Sequence, residues 1–343
     1  MSTARKLVFV GGGIALLAGL NQVFEYGFGG FQINPYYARM INLIGINITL
    51  AVSLNLINGL AGQFSIGHAG FMAVGGYTAT YVTVYHGQQI ASLVGQSPMD
   101  PGGSSLVMPI SLAAGALAAA MAGLAVGIPS LRLRGDYLAI VTLGFSEIIR
   151  VIILNIPAVG GATGFTAALP ITNFFWIFAM ATLTIVIVRN IATSTFGRAL
   201  ATIRGDEIAA EAMGVNSTFY KVLAFVISAA LAGVAGGLSG QLFANPLSPQ
   251  NLNFVRSIEV IVMIVLGGIG SITGAVLGAS VLTVLPEALR GLDQQFPGIR
   301  MVIYALLLIL LMIFRPQGLL GRREIGWAWL RRPSRTKIPA DIE

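Results

Sequence analysis

Residues 198–214 read RALATIRGDEIAAEAMG, and they form the most polar interior segment of a chain that is otherwise largely apolar. Basic residues lie within this segment and on both sides of it, between two apolar runs: Arg189, Arg198, Arg204 and Lys221. Because Lys and Arg are enriched in the cytoplasmic loops of membrane proteins, the pattern places this loop, residues 190–217, in the cytoplasm. The orientation of every other segment is assigned relative to this loop, because successive spans alternate in direction.

Within the loop, residues 206–214 carry the pattern of a short amphipathic helix. Asp206 and Glu207 suit the positive end of a helix dipole, and Gly214 suits the left-handed residue that ends a helix. On a helical wheel one side carries Asp206, Glu207, Ala210, Glu211 and Gly214, and the other carries Ile208, Ala209, Ala212 and Met213. The pattern leaves two interpretations open: a solvated connection, or a docking element for a cytoplasmic partner.

The composition predicts an all-α integral membrane protein. The 343 residues are 55% hydrophobic and 10% charged, whereas about 25% of an ordinary soluble domain is charged. The 43 glycines suit helices that approach closely in a bilayer. The net charge of +7 comes from residues beside apolar runs, which argues against nucleic-acid binding. With no cysteine and two histidines, a disulfide framework, a thiolate nucleophile and a Cys- or His-rich metal site are excluded.

Alternating apolar runs and polar turns predict about ten transmembrane or re-entrant helices with both termini in the cytoplasm. The runs are residues 7–24, 36–57, 66–85, 106–128, 137–156, 173–188, 219–242, 258–266, 275–289 and 299–314. This arrangement puts 15 of the 20 basic residues on the inner side. We expect the first run to be retained, because no clear signal-peptide cleavage site follows it. Residues 1–321 then form the membrane domain, and residues 322–343 form a basic cytoplasmic tail.

Two glycine-rich turns, residues 58–67 and 267–274, indicate where a pathway could lie. The run at 258–266 is short for a full crossing, which predicts a broken or re-entrant helix. Interrupted segments in corresponding halves of a transporter are typical of a central pathway. The candidate pathway residues at these turns are Gly67, His68, Gly267 and Gly268. For His68, a hydrogen bond to a loop carbonyl is favoured over a proton relay.

Polar residues inside apolar runs are the other candidates. Asn47 and Asn55 lie about two helical turns apart and share a face, and lining a pathway and bonding between helices are equally open for them. Two oppositely charged pairs are spaced three residues apart, so each can pair on one helix face: Glu147 with Arg150, and Arg256 with Glu259. A small-residue seam predicts close helix packing: Ala229, Ala232, Gly233, Gly236, Gly237 and Gly240.

The sequence also limits which energy source could drive transport by this chain. It has no GxxxxGK[ST] phosphate loop, so this chain is not expected to hydrolyse nucleotide. Buried carboxylates are few, which weakens the case for an ion-coupled carrier without excluding one. A self-sufficient secondary transporter and a passive channel therefore remain as alternatives to a subunit driven by a separate ATPase.

Several separate blocks resemble the LivM-type permease subunits of branched-chain amino acid ABC importers. They are SLNLINGLAGQFSIGHAGFMAVGGYTA (53–79), LRLRGDYLAIVTLGFSEIIR (131–150), GRALATIRGDEIAAEAMGVN (197–216), KVLAFVISAALAGVAGGL (221–238), VLGGIGSITGAVLGA (265–279) and RPQGLLG (315–321). The resemblance covers residues 47–321. One departure is VGGATGF at 159–165, where family members often carry a TGG-x-NG-like run.

The resemblance implies a membrane channel-forming subunit rather than an enzyme, located in the bacterial inner membrane. Its implied partners are a second, LivH-type permease, two ATPase subunits that hold ATP and Mg²⁺, and a periplasmic or lipid-tethered solute-binding protein; this chain itself holds no cofactor. Residues 198–214 match the segment that contacts an ATPase. Glu207, Ala210, Glu211 and Gly214 are expected to face the ATPase, and residues 160–164 the binding protein. The implied solute is a branched-chain or related amino acid, with urea or a short amide as the alternative.

Overall fold

The computed structural model describes residues 34–93, 95, 97, 101–130, 136–165, 171–242, 247–290, 299–315, 317–321 and 324, together with 17–22 and 24. The helices of the region from residue 34 onward are α1 (Pro35–Asn55), α2 (His68–Ser92), α3 (Pro101–Ser130), α4 (Asp136–Leu154), α5 (Phe174–Thr193), α6 (Thr195–Gly205), α7 (Glu207–Ala212), α8 (Ser217–Gly240), α9 (Phe254–Gly267), α10 (Ile272–Ala288) and α11 (Ile299–Phe314). A π-helical turn, Leu56–Leu60, continues α1. Among the described residues the β pairing is one isolated bridge, between Phe165 and Leu247. The all-α prediction is confirmed.

Six stretches of the described chain are long and apolar enough to cross a membrane. They are Pro35–Leu60, Ser104–Ser130, Tyr137–Leu154, Phe174–Thr193, Ser217–Gly240 and Pro249–Gly267. Helix α10 is apolar but shorter, with 17 residues, and α11 has 16. The chain is therefore a multi-pass membrane protein, while the count of about ten crossings and the cytoplasmic position of both termini stay predictions. Most of the first expected span and of the 322–343 tail, and both Arg132 and Arg134, lie outside the described residues.

Two boundary predictions are wrong, both because polar residues extend a helix beyond its apolar part. The expected loop at 86–105 is largely helical, since α2 continues to Ser92 and α3 begins at Pro101. The expected short entry at 258–266 belongs to α9, which begins at Phe254. The Asn253 side chain caps α9 by accepting hydrogen bonds from the N–H groups of Val255 and Arg256, at 3.0 and 3.3 Å. Helix α9 is thus longer than its apolar run.

The packing core of the bundle is the trio α2, α3 and α8. The small-residue seam of α8 lies at its centre, which confirms the predicted close packing. A Cβ atom on Gly233 would lie 2.8 Å from the carbonyl oxygen of Gly115, and one on Gly76 would lie 3.0 Å from that of Gly236. Because these distances are at or below the closest approach of real Cβ atoms, the helices touch backbone to backbone.

The helices define two ends of the bundle. At one end, which we call the loop end, lie α6 and α7, the π-helical turn, the turn 268–271, and residues 317–321 and 324. At the other, which we call the mouth end, the bridge of Phe165 with Leu247 lies, and the Tyr36 hydroxyl donates to Glu287 at 2.6 Å. Helix α9 runs between them over about 20 Å, at 1.5 Å per residue for its 14 residues.

Candidate coupling and translocation sites

The loop at residues 194–216 is two short helices with a side-chain cap at each start. Ser194 caps α6 by accepting from the N–H of Gly197 at 3.3 Å. Asp206 caps α7, since its Oδ1 accepts from the N–H groups of Ile208 and Ala209 at 2.9 and 3.1 Å. Gly214 follows α7 with φ 85°, the left-handed conformation that terminates a helix at little steric cost to glycine. The predicted start and end of this helix are confirmed.

The direction that α7 faces differs from the expectation. Ala210, expected to face outward, is fully buried. The side chains expected to pack on the membrane domain project away from it instead: Ile208 is 70% exposed and Met213 83% exposed. Glu207 is partly buried, whereas Glu211 is exposed as expected, and each has a partner on α8. Arg198 and Gly214 are exposed.

Two polar contacts attach α7 to the start of α8. The Nζ of Lys221 lies 2.6 Å from Oε1 of Glu207, and the Lys221 side chain is only 2% exposed. The Ser217 hydroxyl donates to Oε1 of Glu211. A buried ammonium group is costly unless it is paired, so Glu207 stabilises Lys221 in place as much as Lys221 stabilises α7. Helices α7 and α8 are therefore linked by a charged pair.

Arg204, near the end of α6, links this loop to both glycine-rich turns. Its Nη1 donates to the carbonyl oxygen of Gly59 in the π-helical turn. A Cβ on Gly62 would lie 2.7 Å from Cγ of Arg204, and one on Gly270 would lie 3.2 Å from Nη1. The arginine side chain therefore occupies a slot that exists because these positions are glycine.

Asn55 joins the same two turns from inside the bundle. Its Oδ1 accepts from the N–H of Gly270 at 2.8 Å, and its Nδ2 donates to the carbonyl oxygen of Ser271 at 3.2 Å. The side chain is fully buried. Of the two roles left open for Asn55, the one seen in this conformation is hydrogen bonding between helices.

Gly267 and Gly268 are covered by the segment 318–321. The N–H groups of Leu319 and Leu320 donate to the carbonyl oxygens of Leu266 and Gly267 at 2.7 and 3.1 Å. Gly268 has φ 117°, and a Cβ there would collide with the backbone of Gly321. In this conformation the turn is a packed joint at the loop end.

Gly67 and His68 lie deeper in the bundle, where α2 begins. A Cβ on Gly67 would lie 2.5 Å from the carbonyl oxygen of Thr142 on α4, so glycine permits the contact. His68 is buried, and its Nε2 lies 2.8 Å from Oγ of Ser53 on α1. The expected partner, a loop carbonyl, is wrong: the groups that bond His68 belong to α1, the Ser53 hydroxyl and the backbone of Leu50. His68 thus ties the start of α2 to α1.

Asn47 differs from the other candidates because it lies in the wall of an open cavity. The cavity, of about 540 Å³, opens at the mouth end between α1, α8, α9 and residues 247–253. The Nδ2 of Asn47 donates to Oγ1 of Thr283 at 2.8 Å, and its Oδ1 accepts from Nη2 of Arg256. Asn47 bonds between helices and also lines the cavity, while its place in a pathway stays a prediction.

Comparison with known proteins fits this architecture. The family described as branched-chain amino acid transport system, permease component, matches residues 36–312. The chain belongs to this permease family. The match includes α1 to α10, both glycine-rich turns and the loop at 194–216. The chain is accordingly a transport permease subunit, of the ABC importer type.

Individual relatives of this permease agree. It is 34% identical over 327 residues to the high-affinity branched-chain amino acid transport system permease protein LivM of Escherichia coli K12, covering 84% of this chain and 71% of that protein. It is 37% identical over 173 residues to LivH of Salmonella typhimurium, covering 49% and 53%. A solved inward-facing structure of a putative metal-chelate type ABC transporter is similar, with TM-score 0.42 and 16% identity over 91% of this chain and 99% of that one.

Several residues that shape the permease's sites were not predicted. Lys221 counted toward the inner charge, but its partner Glu207 lies 14 residues away on another helix. Glu324 caps α10, with its carboxylate 2.6 and 3.1 Å from the N–H groups of Ile272 and Thr273. The predicted pairs Glu147–Arg150 and Arg256–Glu259 are confirmed at 2.6 and 2.8 Å. Residue spacing predicts ion pairs within one helix, such as Glu147–Arg150 and Arg256–Glu259, but it does not predict a pair between two helices, such as Glu207–Lys221.

Proposed function

We propose that this chain is a translocating subunit of an ATP-driven importer that carries branched-chain or related amino acids across the bacterial inner membrane by alternating access. The membership of the permease family supports the importer type, and the names of the relatives support the solute class. The proposed assembly adds a second, LivH-like permease, two ATPase subunits that hold ATP and Mg²⁺, and a solute-binding protein.

The observation that carries the proposal is the exposed apolar side of α7. Ile208 and Met213, the latter directly after the last helical residue, project from a helix of only six residues that caps and an ion pair hold in place. A helix this short is not stable by itself in water, so contacts with the rest of the chain must maintain it. A short helix that exposes two large apolar side chains, at the end that the proposal assigns to the cytoplasm, suits insertion into an apolar groove of another protein. The proposed occupant of that contact is an ATPase subunit.

In the proposed cycle, ATP binding moves the partner that holds α7. Helix α8 follows through Glu207 and Lys221, and the two glycine-rich turns follow through Arg204. Each conformation is selected by the partner that binds it better, so the nucleotide shifts the balance between outward-open and inward-open states. The proposed pathway residues are Asn47, Asn55, Gly67, His68, Gly267 and Gly268, some as wall and some as hinge.

The test is purification of this chain in mild detergent from its native membrane, followed by reconstitution in vesicles. We expect a second permease and two ATPases to co-purify, and uptake of L-leucine to require ATP and the binding protein. Uptake of urea or acetamide in place of L-leucine would favour the alternative solute class. Uptake by the chain alone under a proton or sodium gradient would overturn the proposal in favour of a secondary transporter.

A further inference from the structure

The mouth-end cavity presents both signs of charge to one space. Its wall includes two arginines, Arg39 and Arg256, and one carboxylate, Glu259. Arg256 and Glu259 lie within Pro249–Gly267, a stretch apolar enough to span a membrane. Ionisable side chains within such stretches are costly, and they are generally retained where they bind something or line a polar path. The cavity is also lined by apolar side chains, among them Leu43, Met72, Leu242 and Leu247.

The Arg256 guanidinium is held in one orientation. Its Nη1 donates to Oε2 of Glu259 at 2.8 Å, and its Nη2 donates to Oδ1 of Asn47 on α1. Its side chain is 20% exposed. A guanidinium carries five N–H donors in a planar fork that matches a carboxylate, and these two contacts use two of them. The group is thus pre-oriented, and these two contacts leave three of its N–H donors for other partners, on a side chain that lines the cavity.

The Glu259 carboxylate complements it. The side chain is 46% exposed, and Oε2 is the oxygen that bonds Arg256. A carboxylate has about four acceptor positions, so it can accept from an ammonium group while it keeps Arg256 oriented. A cation and an anion a few ångströms apart, with apolar wall beside them, match a molecule that carries an α-carboxylate, an α-ammonium and an apolar side chain.

We infer that this cavity is a transient binding site for a zwitterionic apolar α-amino acid, which enters it from the binding protein. Arg256 binds the carboxylate, Glu259 binds the ammonium group, and Leu43 and Met72 contact the side chain. The inference rests on the proposed function and narrows its solute: a neutral solute such as urea gains less from the two charged groups than a zwitterion does, because it offers hydrogen bonds but no opposite charges. The volume is sufficient, since small-molecule sites in proteins commonly measure roughly 300–1,000 Å³.

The test uses the membrane complex in nanodiscs without binding protein, and ligand-observed saturation-transfer NMR. The probes are L-leucine, L-leucinamide, which lacks the carboxylate, and 4-methylpentanoate, which lacks the ammonium group. For the unmodified complex we expect L-leucine to bind about tenfold more tightly than either analogue, as the loss of one charge-assisted hydrogen bond implies. Arg256→Gln should abolish the preference over L-leucinamide, and Glu259→Gln the preference over 4-methylpentanoate.

Arg290→Gln is the matched control. Arg290 also forms a pair with a glutamate three residues away, since its Nη1 lies 3.9 Å from Oε2 of Glu287. The Arg290 side chain is 58% exposed, and it does not line the cavity. It should keep the selectivity of the unmodified complex. If Arg256→Gln prevents assembly of the complex, two other variants each test the site. Arg256→Lys keeps the charge but loses the planar fork of the guanidinium, and Glu259→Gln removes the negative charge.

The outcomes separate the site from the function. Equal binding of all three probes by the unmodified complex, or unchanged selectivity in both Arg256→Gln and Glu259→Gln, overturns the site even if ATP-driven L-leucine uptake is normal. Absence of that uptake in the complete transporter overturns the proposed function, and the inference with it. The site is supported if Arg256→Gln loses only the preference over L-leucinamide and Glu259→Gln loses only the preference over 4-methylpentanoate. A structural role of either residue would instead affect the binding of all three probes alike.

Discussion

The Nζ of Lys221 on α8 lies 2.6 Å from Oε1 of Glu207 on α7, and the lysine side chain is almost wholly buried. Two helices separated by the turn at Gly214 are joined at that point. A force applied to α7 reaches α8 through the pair, and α8 is the helix whose small-residue seam packs on α2 and α3. The pair therefore connects the loop at residues 194–216 to the packing core.

Breaking this pair should uncouple the loop from the membrane helices. Glu207→Lys leaves two ammonium groups facing each other, one of them buried, and we expect a loss of about 2–3 kcal/mol of stability, reduced from a fully buried pair because Glu207 is partly exposed. ATP-driven uptake should fall at least tenfold while the protein remains in the membrane. Adding Lys221→Glu to the same chain should restore much of the uptake. Failure of this exchange to restore anything would show that the pair does not transmit the motion.

Glu211 provides the matched comparison within α7. Its carboxylate accepts from the Ser217 hydroxyl, a weaker partner than a buried ammonium group. Glu211→Gln keeps an acceptor there and should change uptake less than twofold. A loss equal to that of Glu207→Lys would instead indicate that Glu211 itself meets the partner.

The exposed apolar pair on α7 should determine attachment of the ATPase. Ile208→Glu and Met213→Glu add a charge to side chains that are 70% and 83% exposed, so the fold of this chain should tolerate them. We expect each to reduce ATPase co-purification about tenfold or more. Gln88→Glu, which adds the same charge to an exposed side chain on α2, is the control and should leave co-purification unchanged. Normal recovery with all three variants would contradict the docking role of α7.

The same helix shows how far the sequence reaches. Its start and end can be predicted because Asp206 and Gly214 act on backbone within three residues of themselves. The direction it faces cannot be predicted in this way, because the amphipathic pattern turns the charged side outward, whereas in the structure Glu207 turns inward to pair with the buried Lys221, a residue of another helix. The family, the all-α class and the seam of α8 follow from patterns that recur over many residues. The cavity requires α1, α8 and α9 together, and no spacing within one segment indicates it.

The glycine seam should be intolerant of even one methyl group. A Cβ on Gly75 would lie 2.6 Å from the carbonyl carbon of Gly233, where two backbones meet. Gly75→Ala should therefore cost about 1–3 kcal/mol through overpacking and lower the apparent melting temperature of the purified protein. Gly144→Ala on α4 is the control, because nothing lies within 4 Å of its added Cβ. A melting temperature lowered equally by both would mean that glycine serves these helices in some way other than close packing.

Arg204 should matter to transport more than to assembly. Its guanidinium bonds Gly59 and its stem packs on Gly62, so it joins α6 to the turn that ends α1. Arg204→Met keeps much of the packing and removes the charged hydrogen bond, worth about 1.5–3 kcal/mol. We expect ATPase co-purification to remain and uptake per ATP hydrolysed to fall about tenfold, since the loop would then move without the turn. Arg198→Met, which removes an exposed charge from the same helix, should leave that ratio unchanged. Equal ratios in the two variants would mean that the loop moves the membrane helices through Glu207 and Lys221 alone.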